Sequence, residues 1–210
     1  MPGLVHVVDD DASFRTAIER RLKLEGYEVE TYSSAQQLLD RMPAVEKPGC
    51  ILLDVRIPGL SGPELQSRLI EFGSILPIIF VTGYADTPTT VQAIKAGAED
   101  FLTKPVSSEQ LIDAIERAMV RCESARSQRS KLDSLQALVA TLTPRERQVF
   151  DFIVRGKINK QIAYELGTTE RTVKAHRHQV MAKMQVRSLA ELVSSAERIG
   201  MLDPDGSSRS

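Results

Sequence analysis

The stretch Cys50–Gly62, CILLDVRIPGLSG, constrains the fold more than any other part of the sequence. Cys50, Ile51, Leu52 and Leu53 form an unbroken apolar run, the pattern of a central strand in a parallel sheet covered by helices on both faces. The run ends on a carboxylate, Asp54, and Pro58, Gly59 and Gly62 then stop the strand and force a loop. Open α/β sheets carry their chemistry at the carboxyl ends of their strands, where Asp54 stands. A strand-end Asp can equally cap the helix that follows, and the rest of the chain decides between the two readings.

Around that strand the front of the chain alternates. Leu4–Val8 reads as a strand ending in Asp9, Asp10 and Asp11. Ser13–Leu24 has helical periodicity, with Phe14, Ala17, Ile18 and Leu22 on one stripe, and Gly26 stops it. Tyr27–Tyr32 is a second strand and Ser34–Arg41 a second helix; Glu64–Phe72 is a helix after the central strand. Pro77–Thr82, PIIFVT, is an apolar strand ending on a hydroxyl, followed by a helix over Thr87–Ala96 closed by Gly97. A last strand begins at Asp100–Leu102 and ends in Lys104–Pro105, and a last helix starts near Ser107. Strands alternating with helices of this length predict a five-stranded parallel sheet with right-handed crossovers.

Four of these strand ends carry polar residues, Asp9/Asp10, Asp54, Thr82 and Lys104, and a parallel sheet brings them to one edge. Carboxylates gathered there repel one another, so a divalent cation is the natural counter-charge, and oxygen donors suit Mg²⁺. Lys104 adds a mobile positive charge and Thr82 a donor, and together they can hold the oxygens of a phosphoryl group built on one carboxylate.

In VVDD (Val7–Asp10), LLDVRIPGLSG (Leu52–Gly62), VTG (Val81–Gly83) and KAGAEDFLTKP (Lys95–Pro105), the sequence resembles the response-regulator receiver domain, a CheY-like (βα)5 fold, over residues 4 to about 120. The resemblance implies that Asp54 is the phosphoacceptor. It implies that Asp10, Asp54 and the backbone carbonyl of Arg56 ligate Mg²⁺, with Asp9 binding it through water. Thr82 and Lys104 then read the phosphoryl oxygens, and Phe101 takes the place of the switch aromatic, whose ring follows Thr82. Asp11 reads as a helix cap. The phosphoryl donor implied is a phosphohistidine on a sensor histidine kinase, and the domain is a switch rather than an enzyme.

The net charge of −1 over 210 residues hides an asymmetry. Residues 1–140 carry 15 Lys/Arg and 20 Asp/Glu, while residues 141–210 carry 12 and 8. An acidic front and a basic back predict two domains with different partners, the second of them nucleic acid. The boundaries expected are a receiver over 1–121, a helical or partly flexible connector over 122–140, a DNA-binding domain over 141–203 and a disordered tail over 204–210. In the connector the polar run Arg121–Lys131 contains no Pro and no Gly, and Leu132, Leu135 and Leu138 resume an apolar spacing. This stretch can continue the preceding helix and pair with its copy in a dimer.

The back of the chain is all α. Thr143, Pro144 and Glu146 spell a capping box, and Val149, Phe150 and Ile153 continue the buried stripe to Gly156. Asn159 is read as the cap of Lys160–Leu166, Gly167 makes a tight turn, and Thr169–Met184 is a second helix with basic residues on its exposed face. A closing helix over Ser188–Ala196 turns Leu189, Leu192 and Val193 inward. Helix, short Gly turn and basic helix describe a helix-turn-helix.

From about Leu142 to Ile199 the sequence LTPRERQVF…NKQIAYELGTTERTVKAHRHQVMAKM resembles the LuxR/FixJ-type DNA-binding domain. The resemblance implies that Glu170–Met184 is the recognition helix. Lys174, Ala175 and His178 then face base edges with Arg177 close by, and Lys160, Arg171 and Thr172 hold phosphates. His178 replaces a longer basic residue. Val173, Val180 and Met184 are core by spacing. His176 and His178 have no Cys or carboxylate neighbour in sequence to make a metal site.

Taken together, the chain is identified as a two-component transcription regulator, in which phosphorylation favours a homodimer that sets two recognition helices on double-stranded promoter DNA and engages RNA polymerase. A regulator whose receiver is only a protein-interaction module is the alternative, and the complete acid pocket argues against it. A Mg²⁺-dependent phosphatase with an aspartyl intermediate would need a second acid at position 56, where Arg stands. No run is long and apolar enough for a bilayer, and MPGLVHVVDDD has no basic region ahead of a hydrophobic core as a signal peptide has. Two cysteines, one in a buried strand, are expected to be free, in keeping with a cytoplasmic protein.

Overall fold

The computed structural model describes residues 3–41, 47–83, 91 and 93–202. Its first unit is built on five parallel strands, β1 (Leu4–Val8), β2 (Glu28–Tyr32), β3 (Gly49–Leu53), β4 (Ile78–Thr82) and β5 (Asp100–Thr103), in the order β2-β1-β3-β4-β5. The apolar run leading to Asp54 is therefore the middle strand, paired on one side with β1 (Val8 opposite Leu53) and on the other with β4 (Leu53 opposite Phe80). That register brings the ends of β1, β3 and β4 to the same level.

Alternation along the strands divides the core between two faces. Val8, Ile51, Leu53 and Phe80 pack with Leu38 of α2 (Ala35–Asp40) and with Leu65 and Leu69 of α3 (Gly62–Glu71). Val5, Val7, Cys50, Leu52, Ile79 and Val81 pack with Ile18 and Leu22 of α1 (Ala12–Leu24) and with Leu111, Ile115 and Ala118 of α4 (Ser108–Ala140). Both faces of the sheet are covered, which is why its central strands read as continuous apolar runs.

Local chemistry sets the helix starts. Asp11 caps α1, accepting from the backbone N–H of Ser13 at 2.8 Å and of Phe14 at 3.2 Å. Ser61 and Glu64 form a capping box at α3, with Pro63 in its first turn. Ala17 departs from its expected place on the α1 stripe and is exposed. It lies about 100° round the helix from Ile18, outside the arc that Phe14, Ile18 and Leu22 cover. Half of the helix expected over Thr87–Ala96 falls outside the described residues; of the other half, 91 and 93–95 are helical. The tail expected over 204–210 lies outside them altogether.

Tertiary contacts divide the chain into Met1–Ser127 and Gln128–Ser210. The second unit is helical: beyond the end of α4 come α5 (Pro144–Val154), α6 (Asn159–Glu165), α7 (Glu170–Lys183) and α8 (Leu189–Arg198). Val149, Phe150, Ile153, Ile162, Val173, Val180, Met184, Leu192 and Ala196 close its core. The capping box at α5 is formed, with Thr143 accepting from Glu146 N–H and Glu146 from Thr143 N–H.

Two sequence expectations shift here. Ile158 rather than Asn159 is the N-cap of α6. Its backbone N–H is taken by the Gln161 carboxamide oxygen at 3.0 Å, and this reach-back sets the helix start one residue early. Leu189 is 45 % exposed rather than inward. It opens α8 directly after the Ser188 cap, and Val186 supplies the apolar contact at that end.

Candidate functional site

The tips of β1, β3, β4 and β5 do meet. Asp9, 1 % exposed, follows β1 directly; Asp54 follows β3; Thr82, 1 % exposed, ends β4; and Lys104 follows β5. The Lys104 ammonium donates to Asp54 Oδ2 at 2.8 Å and also to Asp9 Oδ2. Its backbone N–H donates to the Thr82 carbonyl at 2.7 Å, so the β4–β5 ladder itself sets where the lysine starts. The second oxygen of each acid is held by its own loop: Asp54 Oδ1 accepts from Arg56 N–H at 3.1 Å and Asp9 Oδ1 from Asp11 N–H at 2.9 Å. Arg56 leaves its side chain exposed and offers the pocket its backbone.

Burial pushes the Asp9 carboxyl above the usual carboxylate range, and the hydrogen bond from Lys104 pulls it part of the way back. Burial also disfavours the Lys104 ammonium, but its hydrogen bonds to Asp54 and Asp9 more than offset this, and its pKa lies above that of an ordinary lysine. The ammonium is thus the resident counter-charge of the acids. Asp9, Asp10 and Asp54 each present a carboxylate oxygen within 4.8 Å of the other two. Three hard oxygen donors of this kind fit a magnesium ion.

Phe101 is half-buried, and its ring centroid lies 6.0 Å from that of Phe80 at an interplanar angle of 37°, so it packs on the face of the sheet that carries α2 and α3. Sequence reading missed two neighbours of the pocket. The Arg15 guanidinium donates to the Asp9 carbonyl, and the Lys104 ammonium stands 3.9 Å from the centroid of the Phe14 ring. The only signal for either was the distance of a single helical turn from the acid run.

In the second unit α7 buries Val173 and Val180, with the buried Met184 as its C-cap, and exposes Arg171, Lys174, Ala175 and His178, which recur at the three- and four-residue spacing of one helix face. Lys160 on α6 is exposed as well. Thr172 and Arg177 are half-buried at the edges of that face. The Thr172 hydroxyl is 2.9 Å from that of Thr169, the N-cap of α7. His176 and His178 belong to no metal-ligand group among the described residues.

A parallel sheet with an acid-lysine pocket at its tips, followed in the chain by a helix pair whose second member is basic outside and apolar inside, is a receiver with a DNA-reading output. The comparisons agree on both halves. Residues 5–116 match the response regulator receiver domain and residues 140–196 the bacterial regulatory proteins of the luxR family. The chain is 43 % identical over 200 residues to nodulation protein W of Bradyrhizobium diazoefficiens, covering 95 % of this chain and 87 % of that one. It is 42 % identical over 201 residues to transcriptional regulatory protein FixJ of the same organism, covering 96 % and 98 %. Among solved structures, response regulator StyR superposes with a TM-score of 0.79 at 45 % identity, covering 94 % of this chain and 100 % of that one. The chain belongs to the response regulators that carry a luxR-family DNA-binding domain, and so is a two-component transcription regulator. No described helix is long and apolar enough to cross a membrane.

Proposed function

We propose that Asp54 accepts a phosphoryl group from a sensor histidine kinase and that this controls how the second domain binds promoter DNA. The observation that carries the reading is the Lys104 ammonium shared between Asp9 and Asp54 at the tips of separate strands. An Asp54 carboxylate oxygen attacks the phosphorus of a phosphohistidine as the N–P bond breaks, and the electron pair stays on the imidazole. Lys104 and the Thr82 hydroxyl then hold the phosphoryl oxygens, Lys104 by exchanging a carboxylate for a phosphoryl partner. Asp10, Asp54 and the carbonyl of Arg56, with Asp9 through water, would hold a magnesium ion, which when bound would supply further positive charge against those oxygens. Thr82 drawn toward the phosphoryl group frees space that Phe101 takes up, which alters the surface around β5.

The division into a receiver over 1–121, a connector over 122–140 and a DNA-binding domain over 141–203 belongs to the same proposal. Phosphorylation favours a homodimer, and two α7 helices then enter half-sites about one helical turn of DNA apart. Lys174, Ala175, Arg177 and His178 face bases; Lys160, Arg171 and Thr172 hold phosphates. RNA polymerase is the downstream partner, and the setting is cytoplasmic. Incubation with radiolabelled acetyl phosphate and Mg²⁺ tests the acceptor: label enters the wild-type chain and not Asp54→Asn. Retention of label by the variant moves the acceptor elsewhere.

A further inference from the structure

Phe14 reads in the sequence as one more apolar residue on the stripe of α1. In the fold it occupies the first turn of that helix, immediately after the acid run and the Asp11 cap. Helical side chains lean back toward the N-terminus, so a ring at this position covers ground next to Asp9 rather than the middle of the sheet. Its face is where the Lys104 ammonium stands, 3.9 Å from the centroid, while the same nitrogen bonds Asp54 and Asp9. The ammonium is therefore held by two carboxylates and by the negative face of an aromatic ring.

These contacts differ in what they ask of the lysine. A carboxylate bond is directional and is lost when the carboxylate takes another partner, as Asp54 must on receiving a phosphoryl group. The ring attracts the cation over its whole face without a fixed direction. We propose that Phe14 is a positioning residue for Lys104, holding the ammonium at the pocket while it exchanges carboxylate oxygens for phosphoryl oxygens. The inference rests on the reading of Asp54 as acceptor. Packing alone would ask only for an apolar side chain, whereas the proposed role asks for a ring.

The full-length chain tests this with Phe14→Leu and Phe14→Met, which keep an apolar side chain and remove the ring, and Phe14→Tyr, which restores it. With acetyl phosphate and Mg²⁺, the Leu and Met variants label roughly three- to tenfold more slowly than wild type, the size of one partly desolvated cation–π contact, and Tyr recovers most of the rate. In the magnesium-free protein the Lys104 ammonium resonance, shifted by the ring current in wild type and in the Tyr variant, loses that shift in the Leu and Met variants. Wild-type labelling rates in Leu and Met, or a Tyr variant as slow as both, overturn the proposal. Label entering Asp54→Asn instead overturns the acceptor reading, so the two failures are told apart.

Discussion

At Gly62 the missing side chain is a packing requirement. A Cβ there would lie 2.7 Å from the Asp54 carbonyl oxygen, 2.8 Å from Phe80 Cε1 and 3.0 Å from Val55 Cα. Two of those atoms are backbone and cannot rotate aside. The same residue donates its N–H to the Val55 carbonyl at 3.0 Å, closing the loop that leaves Asp54. Gly62→Ala is expected to cost about 1–3 kcal/mol, the range for overpacking a filled site. The denaturation midpoint in urea measures it, and an unchanged midpoint would mean the loop has slack. Because the strain falls on the peptide of Asp54, the variant should also label more slowly with acetyl phosphate than its loss of stability explains.

Among the helices, the link between α5 and α7 carries a charge that has a pH signature. The Lys183 ammonium donates to Glu146 Oε2 at 2.6 Å and to the Thr141 carbonyl at 3.1 Å, and Glu146 also accepts from Thr143 N–H at 2.8 Å. The Lys183 hydrogen bond, with that from Thr143 behind it, holds the Glu146 carboxyl below the ordinary glutamate value of 4.5. A folded value below the unfolded one means that the unfolded chain takes up the proton first. The contribution is complete above 4.5 and fades as pH falls through the folded value. Glu146→Gln should therefore lower stability at neutral pH and flatten its fall on acidification. Denaturant melts of the full chain between pH 7 and pH 3 check this, and parallel curves for variant and wild type would sink it. Neither partner's pairing was legible in sequence, since Glu146 announced itself only as the N3 of a capping box and Lys183 as one more cation on a basic helix. What was legible followed from strict periods and local chemistry. The alternation of strands and helices, the central place of the strand that ends at Asp54, the convergence of Asp9, Asp54, Thr82 and Lys104, and the caps at Asp11 and Thr143 all came from patterns the backbone enforces. Ala17, Leu189 and Phe14 were misjudged or undervalued because a helix stripe says which side is apolar but not where the core beneath it ends. Asn159 failed as a cap because the reach-back of Gln161 outweighed the usual preference of Asn for that position.

Over the whole chain, charge and core divide in the same way. Residues 1–140 hold an excess of five acids and residues 141–210 an excess of four bases. The buried residues of the strand-bearing unit share none of their number with the cluster formed by Val139, Val149, Phe150 and their neighbours. Each unit thus has the burial it needs to unfold as a cooperative body of its own. Calorimetry of the full chain is expected to show two transitions. A ligand that binds only one folded unit raises that unit's transition and leaves the other in place. Acetyl phosphate with Mg²⁺ should raise the transition that Gly62→Ala lowers, and duplex DNA the transition that Glu146→Gln lowers. The crossed result, DNA shifting the Gly62-sensitive transition, would place the basic contact surface in the wrong half of the chain. A single transition moved by both ligands would show that the helix continuous from Ser108 to Ala140 makes one cooperative body of the two, so that a phosphoryl group on Asp54 changes the stability of the recognition helix directly.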